Sequence, residues 1–579
     1  MDTKIDQNIL DKAKTWLEGS YDEETKQAVR DMMSRNPQEL TEAFYRDLEF
    51  GTGGLRGIMG AGSNRMNKYT VGMATQGFSN YLKANFPDKK QISVVISYDS
   101  RNNSRFFAQV TADVFSSNGI KVYLFDDLRP TPELSFAIRH LKCQGGIMIT
   151  ASHNPKEYNG YKAYWEDGGQ LISPHDKNVI AEVKKIAGIE DIDFSGNPDL
   201  IETIGEEVDK VYLAKIKALS LSPEIVQRQK NFNIVYTPLH GTGIKLVPHS
   251  LENFGFANIH VVEEQAIPDG NFPTVISPNP EEPAALELAI QKAKAIGADL
   301  VMATDPDGDR VGIAVRNGDD FVLLNGNQAA SLLINYLLTK WAENGKLTGN
   351  EFIVKTIVTS ELLFDLADKY KVQHFDVLTG FKYIADIIKR FEGEKTFIGG
   401  GEESYGYLVG DFVRDKDATI SCSMIAETAA WAADRGTNLY EVLKDLYMEF
   451  GFYKEKLVSV VRKGKAGAEE IKKMMDDFRA HPPKTLGGSK VVRIKDYLTS
   501  IDHDLTSDKK ETIDLPKSNV LQFFTENGSK ISVRPSGTEP KIKFYFGIKG
   551  ELTSKTDFDW VNQQLNDKID SIVKELNLS

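Results

Sequence analysis

Cysteine is almost absent from this sequence: Cys143 and Cys422 are the only two in 579 residues. No Cys-x-x-Cys pair occurs, which argues against a disulfide framework or a cysteine zinc site. The two residues read instead as buried free thiols in a reducing compartment. Long apolar runs are missing as well. No stretch approaches the ~18 uninterrupted apolar residues of a membrane span. The opening residues (MDTKIDQNILDKAKTWLEG) are charged and helical in period, without the apolar core of a secretory signal. These features predict a cytoplasmic protein with no membrane partner. Positive charge is in deficit, with Lys+Arg 70 against Asp+Glu 83 and a formal charge of −13. A general nucleic-acid binder needs a basic face and is therefore excluded. One small anionic substrate in a locally basic cleft is not.

What is present is length and alternation. A chain of 579 residues is too long for one core, since single cores stop growing at roughly 250–300 residues. Residues 1–50 read as helices, with Ile9, Ala13 and Leu17 at helical spacing. From about 90, short β-branched strands alternate with amphipathic helices. Gln91–Tyr98, Ile120–Phe125 and Gly145–Ile149 form one set. Phe232–Tyr236, Ile259–Val262 and Leu300–Ala303 form a second, and Phe352–Val358, His374–Val377 and Thr396–Ile398 a third. Such runs suit buried, mostly parallel strands. From about 450 the pattern changes to that of a separate α+β domain. Residues 462–488 and 502–515 read as variable surface. The organisation is therefore α/β, with three similar units and a C-terminal α+β domain. The expected boundaries are 1–205, 206–322, 323–448 and 449–579.

In each of the three α/β sets the third strand runs into a polar loop, where open α/β sheets bind ligands. Thr150–Pro155 (TASHNP) presents Ser152 beside His153. It reads either as a nucleophile needing an activating neighbour or as an ordinary Ser/Asn/Pro turn. Asp305-Pro-Asp307-Gly-Asp309-Arg310 sets three carboxylates at alternate positions, a good oxygen donor set for Mg²⁺. An EF-hand loop would need Gly at its sixth position and Glu at its twelfth, but Arg310 and Arg316 stand there. Gly399–Gly406 (GGGEESYG) offers Glu402, Glu403 and Ser404 to hydroxyl groups, or is a plain glycine-rich turn. Arg534-Pro-Ser536-Gly537-Thr538-Glu539-Pro, followed by Lys541 and Lys543, suits a phosphate dianion. Supporting groups are Arg56 in a flexible GTGGLRG loop, Lys162 in YNGYK, and Lys382 in TGFK. His240 and Arg101 read as functional or structural.

TASHNP, DPDGDR, GEESYG and RPSGTEP together, in this order and spacing, resemble one family, the α-D-phosphohexomutases. The resemblance covers nearly the whole chain. It implies four domains around a central cleft, and a phosphoryl group carried on Ser152. It also implies one Mg²⁺ on Asp305, Asp307 and Asp309, with a phosphoserine oxygen completing the site. Glu402 and Ser404 would bind sugar hydroxyls. Arg534, Ser536, Gly537 and Thr538 would hold the phosphate not in reaction. His153, Lys162 and Arg56 match positions implicated in proton transfer and charge stabilisation, with Lys162 and His153 the two candidates for general acid/base. Arg310 suits a phosphate beside the metal, and Lys382 matches a lysine that serves near the site in the glucose branch. The implied reaction interconverts glucose 1-phosphate and glucose 6-phosphate through glucose 1,6-bisphosphate, which also serves as activator. The GEES form resembles members acting on glucose phosphates. KEYNGYKAY after TASHNP departs from the glycine pair of many glucose-specific members. It resembles a branch that includes phosphopentomutases and bisphosphate synthases. Phosphomannomutase activity and a silent sugar-phosphate sensor are the other readings. The expected partners are small sugar phosphates, and the expected state is a monomer or small homo-oligomer.

Overall fold

The computed structural model describes residues 5–51, 53–462, 464–536 and 541–578. They form two compact units. The first contains the chain up to Leu324 with residues 385–397 and 405–434. The second contains 325–384, 398–404 and the chain from Arg435 onward. The architecture is that of three α/β domains with mixed sheets and one C-terminal sheet domain.

The first unit holds two sheets. One has six strands in the order Gly54–Ile58, Tyr158–Trp165, Gly145–Ile149, Ser93–Tyr98, Lys121–Phe125, Ile201–Ile204. Its inner strands run parallel, and Tyr158–Trp165 returns antiparallel between Gly145–Ile149 and Gly54–Ile58. The other has five strands in the order Asp320–Leu324, Val311–Asn317, Leu300–Thr304, Asn233–Thr237, Asn258–Val261. Gly145–Ile149 and Leu300–Thr304 are buried at every residue, as strands covered by helices on both faces must be. The chain therefore turns polar only at their ends, which is where both candidate loops begin.

Two local expectations change. GTGGLRG is not a free loop. Gly54–Ile58 is an edge strand, with Leu55 opposite Tyr161 and Arg56 opposite Gly160. Gly54 (φ 150°) is required there, because a Cβ would lie 1.8 Å from the Tyr161 carbonyl oxygen. Gly399–Gly401 likewise belongs to the strand Thr396–Gly401. A Cβ on Gly400 would lie 2.2 Å from the Val354 carbonyl, so this glycine serves strand packing, and the loop proper begins at Glu402.

In the second unit Glu351–Thr356 pairs in parallel with Gln373–Val377. The helix Gly326–Glu343 starts from a capping box, in which Asn325 and Gln328 satisfy each other's backbone N–H groups. The C-terminal sheet is antiparallel: Phe452–Val461, Lys541–Gly550, Lys530–Pro535, Leu521–Thr525, Ser489–Asp496, Ile501–Asp504, Lys509–Thr512. Residues 502–515, read from sequence as surface, contain the last hairpin of this sheet. Its strands are short and polar, and so carry little hydrophobic period. Ile357, Val358, Leu378, Tyr497, Val520 and Tyr545 form one apolar cluster joining this sheet to the α/β part of the unit. Both cysteines are buried and unbonded. Among the described residues no helix is long and apolar enough to cross a membrane.

Candidate active site

In the first unit two loops from different sheets meet. Ser152 follows the buried strand Gly145–Ile149 and is 4% exposed. It takes a left-handed conformation (φ 53°), which is uncommon for a non-glycine residue and marks a position held by its surroundings. Its hydroxyl donates to Asp305 Oδ2 at 2.9 Å and lies 3.2 Å from His153 Nδ1. Asp305 begins the loop after Leu300–Thr304, and its Oδ1 accepts the N–H groups of Asp309 (3.1 Å) and Arg310 (3.0 Å). That turn folds the alternating aspartates onto one another, with Gly308 supplying the positive φ of 65°. Thr131, at the start of the helix Thr131–His140, holds the loop from outside. Its N–H donates to the Asp307 carbonyl at 2.9 Å, and its hydroxyl to Asp307 Oδ2 at 3.0 Å.

The three aspartates are 0–1% exposed, and one oxygen from each lies within 4.8 Å of the others. Asp307 Oδ1 and Asp309 Oδ1 are buried without a hydrogen-bond partner among the described residues. A buried carboxylate oxygen left without a donor is costly. Three convergent hard oxygens with two unsatisfied members fit a small divalent cation.

Cations surround the triad. Lys162 comes from the antiparallel strand Tyr158–Trp165, opposite Met148 and Gly54, and its ammonium donates to Asp307 at 2.7 Å and Asp309 at 3.3 Å. Lys416 reaches Asp309 at 2.8 Å. Arg310 pairs with Glu281 at 2.6 Å. Burial, followed by the charges of Asp309 and Asp307, pushes the Asp305 carboxyl well above its ordinary range. Burial pushes Asp307 up too, but the Lys162 and Lys416 ammonium groups and a hydrogen bond with Asp305 together outweigh it and hold Asp307 well below that range. Burial disfavours the Lys162 charge, yet Asp307 and Asp309 hold its pKa above the ordinary value. Burial, then the charges of Arg310 and Arg56, push His153 down to about 3, so its ring is neutral. Arg56 is exposed on the edge strand, with Nη1 3.5 Å from Asn154 Oδ1.

The second unit gathers the other candidates. Glu402 is 7% exposed and accepts the Gly380 N–H at 3.0 Å. Its neighbour Glu403 accepts the hydroxyls of Thr356 (3.1 Å) and Thr359 (3.4 Å). Ser404 is half-buried at the end of this loop. Arg534 lies near the end of the strand Lys530–Pro535, opposite Lys543, and Ser536 N–H donates to the Lys541 carbonyl at 2.8 Å. Gly537 and Thr538 lie outside the described residues. Tyr545 joins the two groups. Burial, then the charges of Glu403 and Glu402, push its hydroxyl up to about 12, against a hydrogen bond and charge from Arg534. Lys382 lies in the first turn of the helix Phe381–Arg390, its ammonium 5.3 Å from the Tyr383 ring centroid.

Sequence reasoning missed Lys416, Glu281 and Tyr545. Lys416 lies far along the chain from Asp309 and Tyr545 from Glu402 and Glu403, while Glu281 lies 29 residues before Arg310. The only local signal was the charge-dense RDKD at 414–417, which follows the GEES loop.

Residues 47–189, 210–318 and 325–450 match, in turn, the alpha/beta/alpha domains I, II and III of the phosphoglucomutase/phosphomannomutase family. A phosphoglucomutase of Staphylococcus haemolyticus is 39% identical over 531 residues, covering 90% of this chain and 93% of the relative. One from Staphylococcus epidermidis is 38% identical over 541 residues, covering 93% and 96%. Among solved structures, the open form of the Paramecium phosphoglucomutase pp63/parafusin superposes with a TM-score of 0.67 at 19% identity, covering 91% of this chain and 96% of its own. A phosphoglucomutase/phosphomannomutase family protein of Burkholderia thailandensis gives 0.64 at 18%, covering 91% and 97%. At those identities the two structures speak to the fold.

Proposed function

The chain belongs to the α-D-phosphohexomutase family, and we propose that it is a phosphoglucomutase that works through phosphorylated Ser152. The observation that carries the reading is the Ser152 hydroxyl 2.9 Å from Asp305, in a buried pocket of three carboxylates answered by Lys162 and Lys416. Relatives named for this activity over more than nine-tenths of their own length support glucose phosphates as substrate.

In the proposed cycle, phosphoserine 152 gives its phosphoryl group to the 6-hydroxyl of glucose 1-phosphate. The P–O bond to the serine breaks as the bond to O6 forms, and glucose 1,6-bisphosphate results. The 1-phosphoryl group then returns to Ser152, leaving glucose 6-phosphate. Added glucose 1,6-bisphosphate primes the cycle. The proton that the 6-hydroxyl releases passes to the leaving serine oxygen, with His153, 3.2 Å from Ser152 Oγ, or Lys162 as the general acid/base. Lys162, Arg310 and Arg56 balance the charge of the transferring group. Asp305, Asp307 and Asp309 would hold Mg²⁺, which supplies charge neutralisation at the transferring phosphoryl group when bound. Glu402 and Ser404 are assigned to sugar hydroxyls. Arg534 and Ser536, with Gly537 and Thr538, are assigned to the phosphate not in transfer, and Lys382 to the sugar phosphate beside them. The division 1–205, 206–322, 323–448 and 449–579 is our proposal for the four domains. The enzyme is placed in the cytoplasm, as a monomer or small homo-oligomer acting on small sugar phosphates.

The test is a coupled assay for glucose 6-phosphate from glucose 1-phosphate with Mg²⁺ and a trace of glucose 1,6-bisphosphate, with ribose 1-phosphate in parallel. Fast glucose turnover, lost with EDTA and lost in Ser152→Ala, is the expected result. Faster turnover of the pentose would move the substrate to the pentose branch. Full activity of Ser152→Ala would overturn the covalent scheme.

A further inference from the structure

Both ends of the strained Ser152 peptide unit are tied to a single buried carboxylate that takes no part in the cycle above. Asp99 follows the strand Ser93–Tyr98 and is 2% exposed. Its Oδ2 accepts the Thr150 hydroxyl at 2.7 Å, and Thr150 Oγ1 in turn accepts the Ser152 N–H at 2.8 Å. The same Oδ2 lies 3.3 Å from Arg101 Nε. Arg101 is 3% exposed, and its guanidinium donates to four carbonyls of the nucleophile loop: Ser152 and Asn154 at 2.5 Å, Pro155 at 2.9 Å, Tyr158 at 3.1 Å. Asp99 Oδ1 accepts the Ser104 hydroxyl at 2.6 Å and the Arg101 N–H at 3.0 Å. Phe272, from the other sheet domain of this unit, lies over the guanidinium at 5.1 Å and is itself buried.

We propose that Asp99, Arg101 and Thr150 are positioning residues of the phosphoryl-transfer step, forming a clamp that holds Ser152 in its left-handed conformation with the hydroxyl toward Asp305. The proposal rests on the reading of Ser152 as the phosphoryl carrier. The physical case is the fork geometry. A planar guanidinium with a fixed partner satisfies several carbonyls at set angles, which an ammonium cannot do. Ser152 is buried, and its carbonyl needs such a donor. A positive φ at a non-glycine residue persists only where its surroundings over-determine it. Loss of the clamp lets Ser152 relax toward ordinary backbone angles and carries its oxygen off the line of transfer. A displacement of about 1 Å costs on the order of 10²-fold in rate.

The experiment compares wild type with Thr150→Val, Thr150→Ser and Arg101→Lys. It measures kcat and KM for glucose 1-phosphate, and the single-turnover rate of phosphoryl transfer from the phosphorylated enzyme to glucose 1-phosphate. Thr150→Val is nearly isosteric and removes one hydroxyl, so it tests the clamp even if Arg101→Lys does not fold. The expected result is a fall of roughly 10- to 100-fold in kcat and in the single-turnover rate for Thr150→Val. KM should stay within about threefold, and Thr150→Ser should recover most of the rate because it keeps the hydroxyl. Folded Arg101→Lys should lose rate to at least the extent of Thr150→Val. A folded Thr150→Val with the wild-type single-turnover rate, or a Thr150→Ser as slow as the valine variant, would overturn the proposal. Wild-type protein that turns over no sugar phosphate would overturn the parent reading, and this one with it.

Discussion

Asp417 offers a quantitative test of the electrostatics of the first unit. It is fully buried, immediately before the helix Ala418–Asp434. Its carboxylate accepts the Ile420 N–H at 2.8 Å and the hydroxyl of Tyr212. Burial pushes its pKa from the ordinary 3.8 up to about 7; the hydrogen bonds oppose this and the charge of Asp415 adds to it. The titratable groups that face it are Tyr212, Asp415, Glu133 and Cys422. Between about pH 4 and 7 the native state keeps the proton that the unfolded chain has already lost. The stability this contributes is complete below pH 3.8 and is lost as pH rises through 7. A rise from 3.8 to about 7 corresponds to about 4 kcal/mol between the two limits. Asp417→Asn keeps the shape and an acceptor for Ile420 but has no charge to bury. Urea unfolding of both proteins at pH 4 and pH 8 measures the difference. The variant should gain up to about 4 kcal/mol over wild type on going from pH 4 to pH 8. Parallel pH dependence of the two proteins would refute the reasoning.

Three further predictions concern the sites. Asp307→Asn removes one charge from the triad and should weaken Mg²⁺ binding at least tenfold by titration calorimetry, with turnover down by on the order of 10²-fold; unchanged Mg²⁺ affinity would remove Asp307 from the metal set. Arg534→Ala should raise KM for glucose 1-phosphate roughly 10- to 100-fold while changing kcat less, since a charge-assisted hydrogen bond is worth about 1.5–3 kcal/mol; an unmoved KM would dissociate the arginine from phosphate binding. Gly54→Ala should destabilise the edge strand by roughly 2 kcal/mol or more, because its Cβ would meet the Tyr161 carbonyl at 1.8 Å; wild-type thermal stability would contradict the strand pairing.

The buried parallel strands were legible to within a few residues. Gly145–Ile149 is read and found at the same limits, and Leu300–Ala303 extends by one residue to Thr304. Strands covered on both faces need unbroken apolar runs, and those show without a partner. The edge strand Gly54–Ile58 and the hairpin of Ile501–Asp504 with Lys509–Thr512 did not show. Half-exposed strands made of glycine or charge take their structure from the neighbour they pair with.

By itself the sequence determined the parts of the site that depend on near neighbours: the alternating carboxylates of Asp305, Asp307 and Asp309, Ser152 beside His153, and the polar loop at the end of each core strand. Only the tertiary structure decided which charges answer them. Lys162 reaches Asp307 across 145 residues, and Lys416 reaches Asp309. Asp99 and Arg101 grip a loop some 50 residues away. The physical reason is that an isolated charge or hydroxyl has no fixed meaning along a chain. Its partner, and with it its protonation state and its chemistry, is set by burial and strand pairing after the sheets have formed.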